Sequence, residues 1–372
     1  MKVLITGANG FVGRNLIAHL SERNDIDVVA FTRDNSISQL PALVAEVDFV
    51  FHLAGVNRPQ SSDEFKVGNT DLTLALCDAI KMSGKPTPVL YTSSTQADRD
   101  NAYGISKLAA EHALHDLQAS HGSKVHVLRL PNVFGKWARP DYNSAVATFC
   151  HNITRGLPIQ VNDRHAMVSL VYIDDVVDCF TQLMDAGSPQ DSVAQVSPVY
   201  SISVGELADQ LHAFRDSRDT LISEAVGTGL VRALYSTYVS YLPVEQFTYD
   251  VPKYGDPRGV FVEMLKTRDS GQFSYFTAHP GVTRGGHYHH SKTEKFLVIK
   301  GKACFRFRHI VSGEFYELFT EGEQPRIVET VPGWTHDITN VGEEEMIVML
   351  WANEIFDRER PDTFAMPVGT QA

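Results

Sequence analysis

The stretch Thr6-Gly7-Ala8-Asn9-Gly10-Phe11-Val12-Gly13 directly follows the strand-like segment Lys2–Thr6 and opens a helix-like segment. Its three glycines allow a tight turn, a close approach of backbone N–H groups to a pyrophosphate, and close packing of the helix. A glycine triplet by itself also fits an ordinary turn, but this one stands between a strand and a helix. The stretch therefore predicts a dinucleotide-binding loop whose cofactor contacts are Gly7, Asn9, Gly10, Phe11, Val12 and Gly13.

Strand-like and helix-like segments alternate along the chain after this loop. The strand-like segments are Asp27–Phe31, Val47–Leu53, Pro88–Ser94 and Lys124–Leu130, and the helix-like ones are Leu72–Ile80 and Tyr103–Leu117. Because strands that alternate with helices pair in parallel, this order predicts a doubly wound α/β sheet of the Rossmann type.

The pattern changes twice after this region. Between about residues 131 and 243 the periodicity is less regular, with helical patterns at Ser144–Thr154 and Asp174–Asp185, which predicts a smaller substrate lobe. From residue 247 to residue 372, short apolar and aromatic runs separated by glycines and charged turns predict an antiparallel jelly-roll barrel. We therefore expect a nucleotide-binding domain over residues 1–243 and an all-β domain over residues 247–372.

Composition limits the class of protein. The chain has 372 residues, of which 43% are hydrophobic and 21% charged, enough for two domains that each bury a core. It shows neither a membrane span of about 18 apolar residues nor a signal-peptide pattern, so a cytoplasmic protein is expected. A net charge of −12 argues against nucleic acid and anionic membranes as partners, because both need a basic face. The four cysteines are far apart, which predicts reduced thiols.

The residues after the second strand indicate which nicotinamide cofactor to expect. Enzymes that use NAD place an Asp or Glu about 20 residues after the glycine loop, against the ribose hydroxyls. This chain has Thr32-Arg33 there, and an arginine can pair with the 2′-phosphate of NADP, which favours NADP(H). The adjacent Asp34 leaves NAD open, since its carboxylate could reach the ribose if Arg33 points away.

Tyr103 and Lys107 lie four residues apart on a predicted helix and therefore share a face. A phenol can supply the proton that an alkoxide needs after hydride transfer to a ketone, provided that a nearby ammonium lowers its pKa. The same spacing recurs at Tyr249/Lys253 and Tyr288/Lys292. Only the first pair follows a strand end rich in hydroxyls, Tyr91–Thr95, where Ser94, or next Thr95, could bind the same substrate oxygen.

Motifs between residues 6 and 135 resemble those of the extended short-chain dehydrogenase/reductases that act on nucleotide sugars. They are Thr6–Gly13, His52-Leu53-Ala54-Gly55, Ser94, Tyr103/Lys107 and Leu130-Pro131-Asn132-Val133-Phe134-Gly135. The resemblance implies that Ser94 and Tyr103 contact the reacting oxygen and that Lys107 contacts the nicotinamide ribose. It further implies cofactor contacts at Leu53, Ala54, Gly55, Asn132 and Val133, with Asn132 also bordering the substrate.

One departure from this family favours reduction over dehydration. The sugar-nucleotide dehydratases of the family carry an acidic pair directly after the active hydroxyl, which eliminates water. This chain has Gln96-Ala97 instead. We therefore expect hydride transfer without elimination.

A UDP-sugar substrate would need basic residues near its diphosphate. The candidates for the diphosphate and uracil are Lys136, Arg139 and Arg164. Each is equally compatible with a solvated surface charge, and only its place in the smaller lobe singles it out.

The stretch Gly286-His287-Tyr288-His289-His290 places two imidazoles on one face of a strand, because residues two apart point to the same side. Glu294 follows, and Pro332-Gly333-Trp334-Thr335-His336 lies far downstream. These motifs resemble those of the cupin barrels, in which three histidines and one glutamate hold a divalent metal. The expected ligands are His287, His289, Glu294 and His336, a donor set that suits Zn²⁺, with Fe²⁺, Mn²⁺ or Ni²⁺ as alternatives.

A second resemblance overlaps this region. Asp256–Glu263 and Arg284-Gly285-Gly286-His287-Tyr288 look like stretches of the deoxy-ketosugar 3,5-epimerases, also cupin-type barrels, where the histidine is the general base. His287 therefore has two interpretations, as a metal ligand and as a base. The three further candidate donors around it favour ligation, and an open metal position could itself polarise a ketone.

The two motif sets together, over nearly the whole chain, resemble the bifunctional capsular-polysaccharide-synthesis enzymes of the CapF type. That resemblance implies C3 epimerisation of a UDP-2-acetamido-2,6-dideoxy-4-ketohexose and then reduction at C4 with NADPH. The implied product is UDP-2-acetamido-2,6-dideoxy-L-talose, on the route to UDP-N-acetyl-L-fucosamine for capsular or O-antigen polysaccharide. One ketone serves both steps, since a carbonyl at C4 allows proton removal at C3.

Two other functions stay open from the sequence. One is an NADPH-dependent ketosugar reductase whose barrel is only structural. The other is a non-enzymatic NADP(H) sensor, although such proteins usually lose the Tyr and Lys that this chain retains at positions 103 and 107. The reductase and cupin families that the chain resembles both favour dimers, so a homodimer is expected.

Overall fold

The computed structural model describes residues 1–186, 195–256, 259–262, 265–267, 271–354 and 359–369. The chain forms two compact units. The first comprises Met1–Ser144 with Val168–Ser201, and the second comprises Ala145–Met167 with Ile202–Ala372. The second unit thus includes helices from the predicted lobe as well as the barrel. The division into domains of residues 1–243 and 247–372 stays a prediction.

Helices and strands follow one another in the expected alternation and then give way to strands alone. The helices are α1 Phe11–Leu20, α2 Leu40–Ala45, α3 Asp63–Phe65, α4 Leu72–Ser83, α5 Ala102–His121, α6 Ala145–Thr154, α7 Ile173–Asp185, α8 Val204–Thr220 and α9 Gly229–Ser240. The strands up to the barrel are β1 Lys2–Thr6, β2 Asp27–Phe31, β3 Phe49–His52, β4 Val89–Ser94, β5 Val125–Leu130, β6 Asn132–Phe134, β7 Met167–Tyr172, β8 Tyr200–Ser203 and β9 Ile222–Ser223. Those that follow are β10 Thr248–Asp250, β11 Lys253–Asp256, β12 Gly259–Val262, β13 Lys266–Thr267, β14 Gln272–Ala278, β15 Thr283–Tyr288, β16 Glu294–Lys300, β17 Lys302–His309, β18 Phe315–Glu321, β19 Arg326–Glu329, β20 Trp334–Asn340, β21 Met346–Ala352 and β22 Phe364–Ala365.

A five-stranded parallel sheet, in the order β2-β1-β3-β4-β5, forms the centre of the first unit. Its central strands are covered on both faces: Val3, Leu4 and Ile5 are all 0% exposed, which is why these runs are continuously apolar. Helices α2, α4 and α5 pack in one apolar cluster with the sheet. Because parallel strands end at the same edge, the ends of β1, β3 and β4 come together there. The predicted Rossmann-type sheet is confirmed.

The barrel in the second unit consists of two five-stranded sheets, in the orders β10-β19-β16-β21-β14 and β18-β17-β20-β15-β22. Neighbouring strands in both are antiparallel. Aromatic rings from the two sheets meet in the interior, as between Phe296 and Phe305, whose centroids are 5.7 Å apart. The predicted cupin-like β domain is confirmed.

Helices α8 and α9 are elements that the sequence pattern did not predict. Helix α8 begins at a capping box in which Ser203 and Glu206 bond reciprocally, a signal that was present in the sequence. Of the epimerase-like stretch Asp256–Glu263, residues 257, 258 and 263 lie outside the described part of the chain. The described helices are all too short or too polar to cross a lipid bilayer.

Candidate functional site

The glycine loop joins β1 to α1 through contacts that leave no room for side chains. Gly7 has a φ of +70°, and its N–H donates to the Phe31 carbonyl at 3.0 Å. A Cβ atom at Gly7 would lie 2.7 Å from the Ala54 nitrogen, and one at Gly13 would lie 2.4 Å from the Gly7 carbonyl oxygen. Helix α1 has Gly10 as its N-cap, a residue without a side chain to bond the first N–H groups. These features fit a dinucleotide pyrophosphate, which binds at a helix N-terminus that the backbone can approach closely.

His52, the last residue of β3, fixes the loop that faces these glycines. Its Nδ1 is hydrogen-bonded to the Thr6 hydroxyl at 2.7 Å, and its Nε2 to the Thr73 hydroxyl at 2.8 Å. Thr6 Oγ1 also accepts from the Ala54 N–H at 3.2 Å. Complete burial lowers the pKa of His52 to about 3, so the ring is neutral and serves as a structural link. It holds the predicted cofactor residues Leu53, Ala54 and Gly55 beside the glycine loop.

Ser94 and Tyr103 lie together at the carboxyl end of β4. Ser94 is the last residue of that strand, and Tyr103 lies in the first turn of α5. Burial raises the pKa of Tyr103, and a hydrogen bond with Ser94 opposes part of that rise. Thr95, the second-choice hydroxyl, is exposed. Of the two hydroxyls, Ser94 is therefore the one that the structure brings to the phenol.

The ammonium of Lys107 lies one turn along α5 from Tyr103 and is buried. It donates to the Thr92 carbonyl at 2.9 Å and lies 4.9 Å from the centre of the Tyr91 ring. Burial lowers the pKa of Lys107 to about 8, while the nearby Glu111 carboxylate opposes the shift. Perturbed lysines of this kind are typical of active sites, because their charge responds to the reaction.

Gly55, after β3, faces the same ammonium. A Cβ atom there would lie 3.2 Å from Lys107 Nζ and 3.1 Å from Asn69 Oδ1. Asn69 is 1% exposed, accepts from the Val56 N–H at 2.8 Å and donates to the Ser106 hydroxyl at 2.9 Å. It therefore ties the loop after β3 to helix α5. No sequence pattern singles out Asn69, because its partners are remote in the chain.

Glu111 lies one further turn along the same face of α5 and is 4% exposed. Its carboxylate accepts from the guanidinium of Arg129 on β5, at 2.6 Å from Nη2 to Oε2 and at 2.9 Å from Nε to Oε1. Arg129 extends outward to Asp98 at 2.7 Å. A sequence signal for Glu111 exists, since positions 103, 107 and 111 repeat every four residues on one helix face.

Arg33 and Asp34 follow β2 in an exposed turn. The Asp34 N–H donates to Thr32 Oγ1 at 3.2 Å, and the Thr32 hydroxyl donates to the Asp34 carboxylate at 3.4 Å. Among the described residues, Arg33 forms no hydrogen bond or ion pair. The carboxylate of Asp34 is thus hydrogen-bonded within the turn, whereas the guanidinium of Arg33 is accessible.

Two predicted substrate contacts follow β5, and one is exposed while the other is buried. Asn132 is exposed on β6, next to Val133, and its amide donates to the Ser169 carbonyl at 3.1 Å. Lys136 is 1% exposed, and its ammonium bonds the Asp174 carboxylate at 2.7 Å. A buried pair of this kind is typical of a structural contact, which weakens Lys136 as a diphosphate ligand.

The two predicted substrate arginines are exposed and belong to different units. Arg139, in the first unit, lies over the Tyr142 ring at 5.3 Å. Arg164, in the second unit, pairs with Asp209 at 2.6 Å. Their roles, like that of Lys136, stay predictions.

The four predicted metal ligands form one cluster in the barrel, on β15, β16, β20 and the segment between β15 and β16. Their candidate ligand atoms all lie within 4.8 Å of one another. His289 Nε2 is 3.0 Å from an oxygen of Glu294, and His336 Nε2 is 3.5 Å from the same oxygen. The rings of His287 and His336 are paired across neighbouring strands, with centroids 4.8 Å apart. Three imidazoles and a carboxylate that converge in this way fit a divalent metal such as zinc.

The protonation states in this cluster suit metal ligation. Burial, together with His336 and His289, lowers the pKa of His287 to about 3. Burial also lowers the pKa of His336, although a hydrogen bond to Glu294 opposes it. Burial alone would raise the pKa of Glu294, but the neighbouring His289 and His336 hold it well below its usual value. The shifts thus favour neutral imidazoles at His287 and His336 and an ionised carboxylate at Glu294, the forms that bind metals.

The Tyr288/Lys292 pair does not reproduce the Tyr103/Lys107 arrangement. Tyr288 is buried on β15, and the Lys292 ammonium lies 3.2 Å from an oxygen of Glu294. In the Tyr249/Lys253 pair, the Lys253 side chain lies outside the described part of the structure.

Comparisons with known proteins assign both halves of the chain. The NAD dependent epimerase/dehydratase family matches residues 3–196, and the polysaccharide biosynthesis C-terminal domain matches residues 254–364. A UDP-2-acetamido-2,6-beta-L-arabino-hexul-4-ose reductase of Pseudomonas aeruginosa is 65% identical over 372 residues, which cover both chains completely. A UDP-glucose 4-epimerase of Vibrio cholerae is 25% identical over 248 residues, 56% of this chain and 74% of that protein.

A solved structure matches both halves at once. The capsular polysaccharide assembling protein CapF of Staphylococcus aureus is 40% identical, with a TM-score of 0.69, and the match covers 99% of this chain and 100% of that one. The first family match takes in more than half of the chain, and the Pseudomonas relative takes in all of it. The chain therefore belongs to the NAD dependent epimerase/dehydratase family, and its combination of domains is that of the CapF-type capsular polysaccharide synthesis proteins.

Proposed function

We propose that the chain is an NADPH-dependent reductase of a UDP-linked 4-ketosugar, and that its barrel first epimerises this sugar at C3. The observation that carries the reductase half is the contact between Ser94 and Tyr103, with the Lys107 ammonium one helical turn away. The 65% identity to a UDP-hexul-4-ose reductase supports the substrate class. The accessible guanidinium of Arg33 supports NADPH over NADH.

A bound nicotinamide supplies the hydride for C4 in this reaction. Tyr103 then donates its phenolic proton to the C4 oxygen as negative charge develops there, and the Ser94 hydroxyl donates a second hydrogen bond. The Lys107 ammonium stabilises the phenolate that is left and holds the nicotinamide ribose. Because burial raises the pKa of Tyr103, the phenol keeps its proton until the developing alkoxide is basic enough to take it.

Tyr103→Phe tests the proton donor. Loss of the phenol is expected to lower kcat for NADPH oxidation by about 10²–10⁴-fold and to leave NADPH binding near that of the parent. Tyr316→Phe, which removes a hydroxyl on β18 of the barrel, is the control. A Tyr103→Phe variant as fast as the parent would overturn this assignment. A parent chain that binds NADPH but reduces no UDP-ketosugar would favour the sensor.

The barrel half of the proposal rests on the convergence of His287, His289, Glu294 and His336. A bound divalent metal, which we propose to be zinc, would polarise the C4 carbonyl and so stabilise the charge left by removal of the C3 proton. The reductase site would then trap the epimer by reducing C4. The proposed product is UDP-2-acetamido-2,6-dideoxy-L-talose, on the route to UDP-N-acetyl-L-fucosamine for a capsular or O-antigen polysaccharide.

Deuterium exchange separates this reaction from simple reduction. The 4-ketosugar is incubated with the full chain in D₂O without NADPH, and proton NMR is expected to show loss of the C3 proton signal. Glu294→Gln is expected to abolish this exchange and to lose stoichiometric zinc binding, while NADPH binding persists. Retention of the C3 proton with the parent would overturn the epimerase and leave a ketosugar reductase whose barrel is structural.

We further propose that the enzyme works in the cytoplasm as a homodimer. An exposed apolar face on β14, β16 and β21 supports the homodimer. The residues that line it are Phe273, Tyr275, Ile299, Ile347 and Met349. Tyr275 is 72% exposed on this face. Contiguous exposed apolar surface is typical of an interface, and a second copy of the chain would remove it from water. Tyr275→Lys is expected to give a monomer in sedimentation velocity. A parent that sediments as a monomer would exclude the dimer.

A further inference from the structure

The segment between β15 and β16, residues 289–293, is named here the metal loop. It begins with His289 and is followed directly by Glu294, so two of the four candidate ligands stand at its ends. All five of its residues are buried. A buried loop needs internal partners for its backbone N–H groups, and those partners determine its shape. Whatever holds the metal loop therefore determines how His289 and Glu294 face each other.

The carboxylate of Asp362 binds three consecutive N–H groups of the metal loop. Oδ1 accepts from His290 at 2.8 Å, and Oδ2 accepts from Ser291 and from Lys292, both at 2.7 Å. The Ser291 hydroxyl adds a further bond to Oδ2 at 3.0 Å. Successive N–H groups that converge on one anion form a backbone nest, a geometry that the loop adopts around this carboxylate.

The same residue orients a candidate ligand through its backbone. The carbonyl of Asp362 accepts a hydrogen bond from His289 Nδ1. This bond requires a proton on Nδ1 and turns the other ring nitrogen, Nε2, toward the Glu294 carboxylate, 3.0 Å away. Asp362 thus acts on the metal loop with its side chain and on a ligand ring with its main chain.

Asp362 is itself held by the strand that follows it. In β22, Phe364 pairs with Tyr288 of β15, and the two rings are 5.6 Å apart. The Met366 N–H donates to the Gly286 carbonyl at 2.8 Å. These contacts fix the C-terminal segment against the strand that carries His287.

We propose that Asp362 is the positioning residue of the metal site, because its carboxylate shapes the loop that sets His289 against Glu294. The inference rests on the metal site of the proposed function. Without the carboxylate, three buried N–H groups lose their acceptor, and the loop must open to find water. The ligand atoms then separate, and the metal is bound less tightly.

Zinc affinity of the full-length chain tests this role. Asp362→Ala is expected to bind zinc about 10–100-fold more weakly in competition with a chromophoric chelator, the usual effect of losing a residue that supports a metal ligand. Asp362→Asn, which keeps the shape and one accepting oxygen, is expected to fall between Asp362→Ala and the parent. The control is Asp216→Ala, which removes an exposed carboxylate of the same unit that pairs with Arg215.

Two further readouts separate positioning from general loss of structure. The visible spectrum of the Co²⁺-loaded chain is expected to change in Asp362→Ala, and amide exchange is expected to accelerate at His290, Ser291 and Lys292, while NADPH binding stays that of the parent. If Asp362→Ala fails to fold, Asp362→Asn carries the same three measurements. Parental zinc affinity in both variants overturns the inference and leaves the metal site standing. A parent chain that binds no zinc overturns the metal site and the inference together.

Discussion

The carboxylate of Glu111 accepts a hydrogen bond from the hydroxyl of Ser93, the neighbour of Ser94 at the end of β4. The bond joins helix α5, which carries the Tyr/Lys pair, to the strand that carries the candidate active hydroxyl. The same carboxylate raises the pKa of Lys107 against the effect of burial. Glu111 therefore influences both the position and the charge of the reductase site.

This relationship predicts a shift in the pH dependence of reduction. Lys107 acts as an ammonium, so kcat/KM is expected to fall as pH rises through about 8, its pKa in the folded chain. Glu111→Gln removes the charge that favours the ammonium, so the fall should begin at lower pH. The pH profile of kcat/KM measures this. Asp98→Asn, which changes only the exposed partner of Arg129, should keep the parental profile, and an unshifted profile in Glu111→Gln would contradict the prediction.

Arg33 is expected to determine the choice of cofactor. Arg33→Ala should raise the KM for NADPH by about 10–100-fold, as expected for loss of a charge-assisted bond to the 2′-phosphate, and should leave the KM for NADH almost unchanged. Steady-state kinetics with both cofactors gives the comparison. Asp34→Asn is the matched change at the next residue. The chain uses NAD if Asp34→Asn raises the KM for NADH while Arg33→Ala changes the KM of neither cofactor.

Gly104 lets helix α5 approach the loop after β4. A Cβ atom there would lie 2.3 Å from the Arg99 carbonyl oxygen and 2.5 Å from that of Gln96. Gly104→Ala should therefore push Tyr103 away from Ser94, lower kcat by at least tenfold, and cost about 1–3 kcal/mol of stability. The measurements are NADPH oxidation and chemical denaturation.

Gly122→Ala separates the loss of activity from the loss of stability. Gly122 ends the same helix with a φ of +76° and has nothing within 4 Å of a Cβ position. Its replacement should cost roughly 1–2 kcal/mol through backbone strain and leave kcat unchanged. Equal kcat in the two variants would mean that the Gly104 contact does not position Tyr103.

A buried charge network joins helices α8 and α9 to the barrel strands within the second unit. Glu329 accepts from Arg218 at 2.8 Å and from the Tyr235 hydroxyl at 2.8 Å, and it also pairs with Lys295. Arg218→Met should destabilise the chain by about 1–3 kcal/mol, because it leaves a buried carboxylate with fewer donors. Urea denaturation followed by tryptophan fluorescence measures this. Arg215→Met, on the same helix but in an exposed pair, should change stability by less than about 0.5 kcal/mol, and equal effects would contradict the prediction.

Short-range sequence patterns predicted much of the fold and identified most of the candidate site residues. The glycine loop, the Tyr103/Lys107 spacing and the His287/His289 spacing each depend on the geometry of a single turn, helix or strand. A helix places residues four apart on one face, and a strand does so for residues two apart, whatever surrounds them. The convergence of Glu294 and His336 on the histidine pair followed from the barrel motifs and is seen in the structure.

Residues whose role depends on remote partners could not be predicted in the same way. His52 links Thr6 to Thr73, Asn69 links the loop after β3 to α5, and Asp362 binds a loop some 70 residues earlier in the chain. A single histidine, asparagine or aspartate carries no spacing signal for such contacts. The burial of Lys136 beside Asp174 is of the same kind, since only packing distinguishes a surface cation from a buried pair.

Periodicity and local spacing predict the two fold classes, the glycine loop and the identities of the candidate reactive side chains, because both are properties of a short stretch of backbone. Long-range packing accounts for the rest: Ser94 and not Thr95 contacts Tyr103, the pKa of Lys107 falls to about 8, and Asp362 binds the metal loop. Each of these depends on burial and on which distant groups share that burial. Hydrogen-bond partners and pKa shifts arise from the removal of water around packed groups, a property that no segment of the chain has alone.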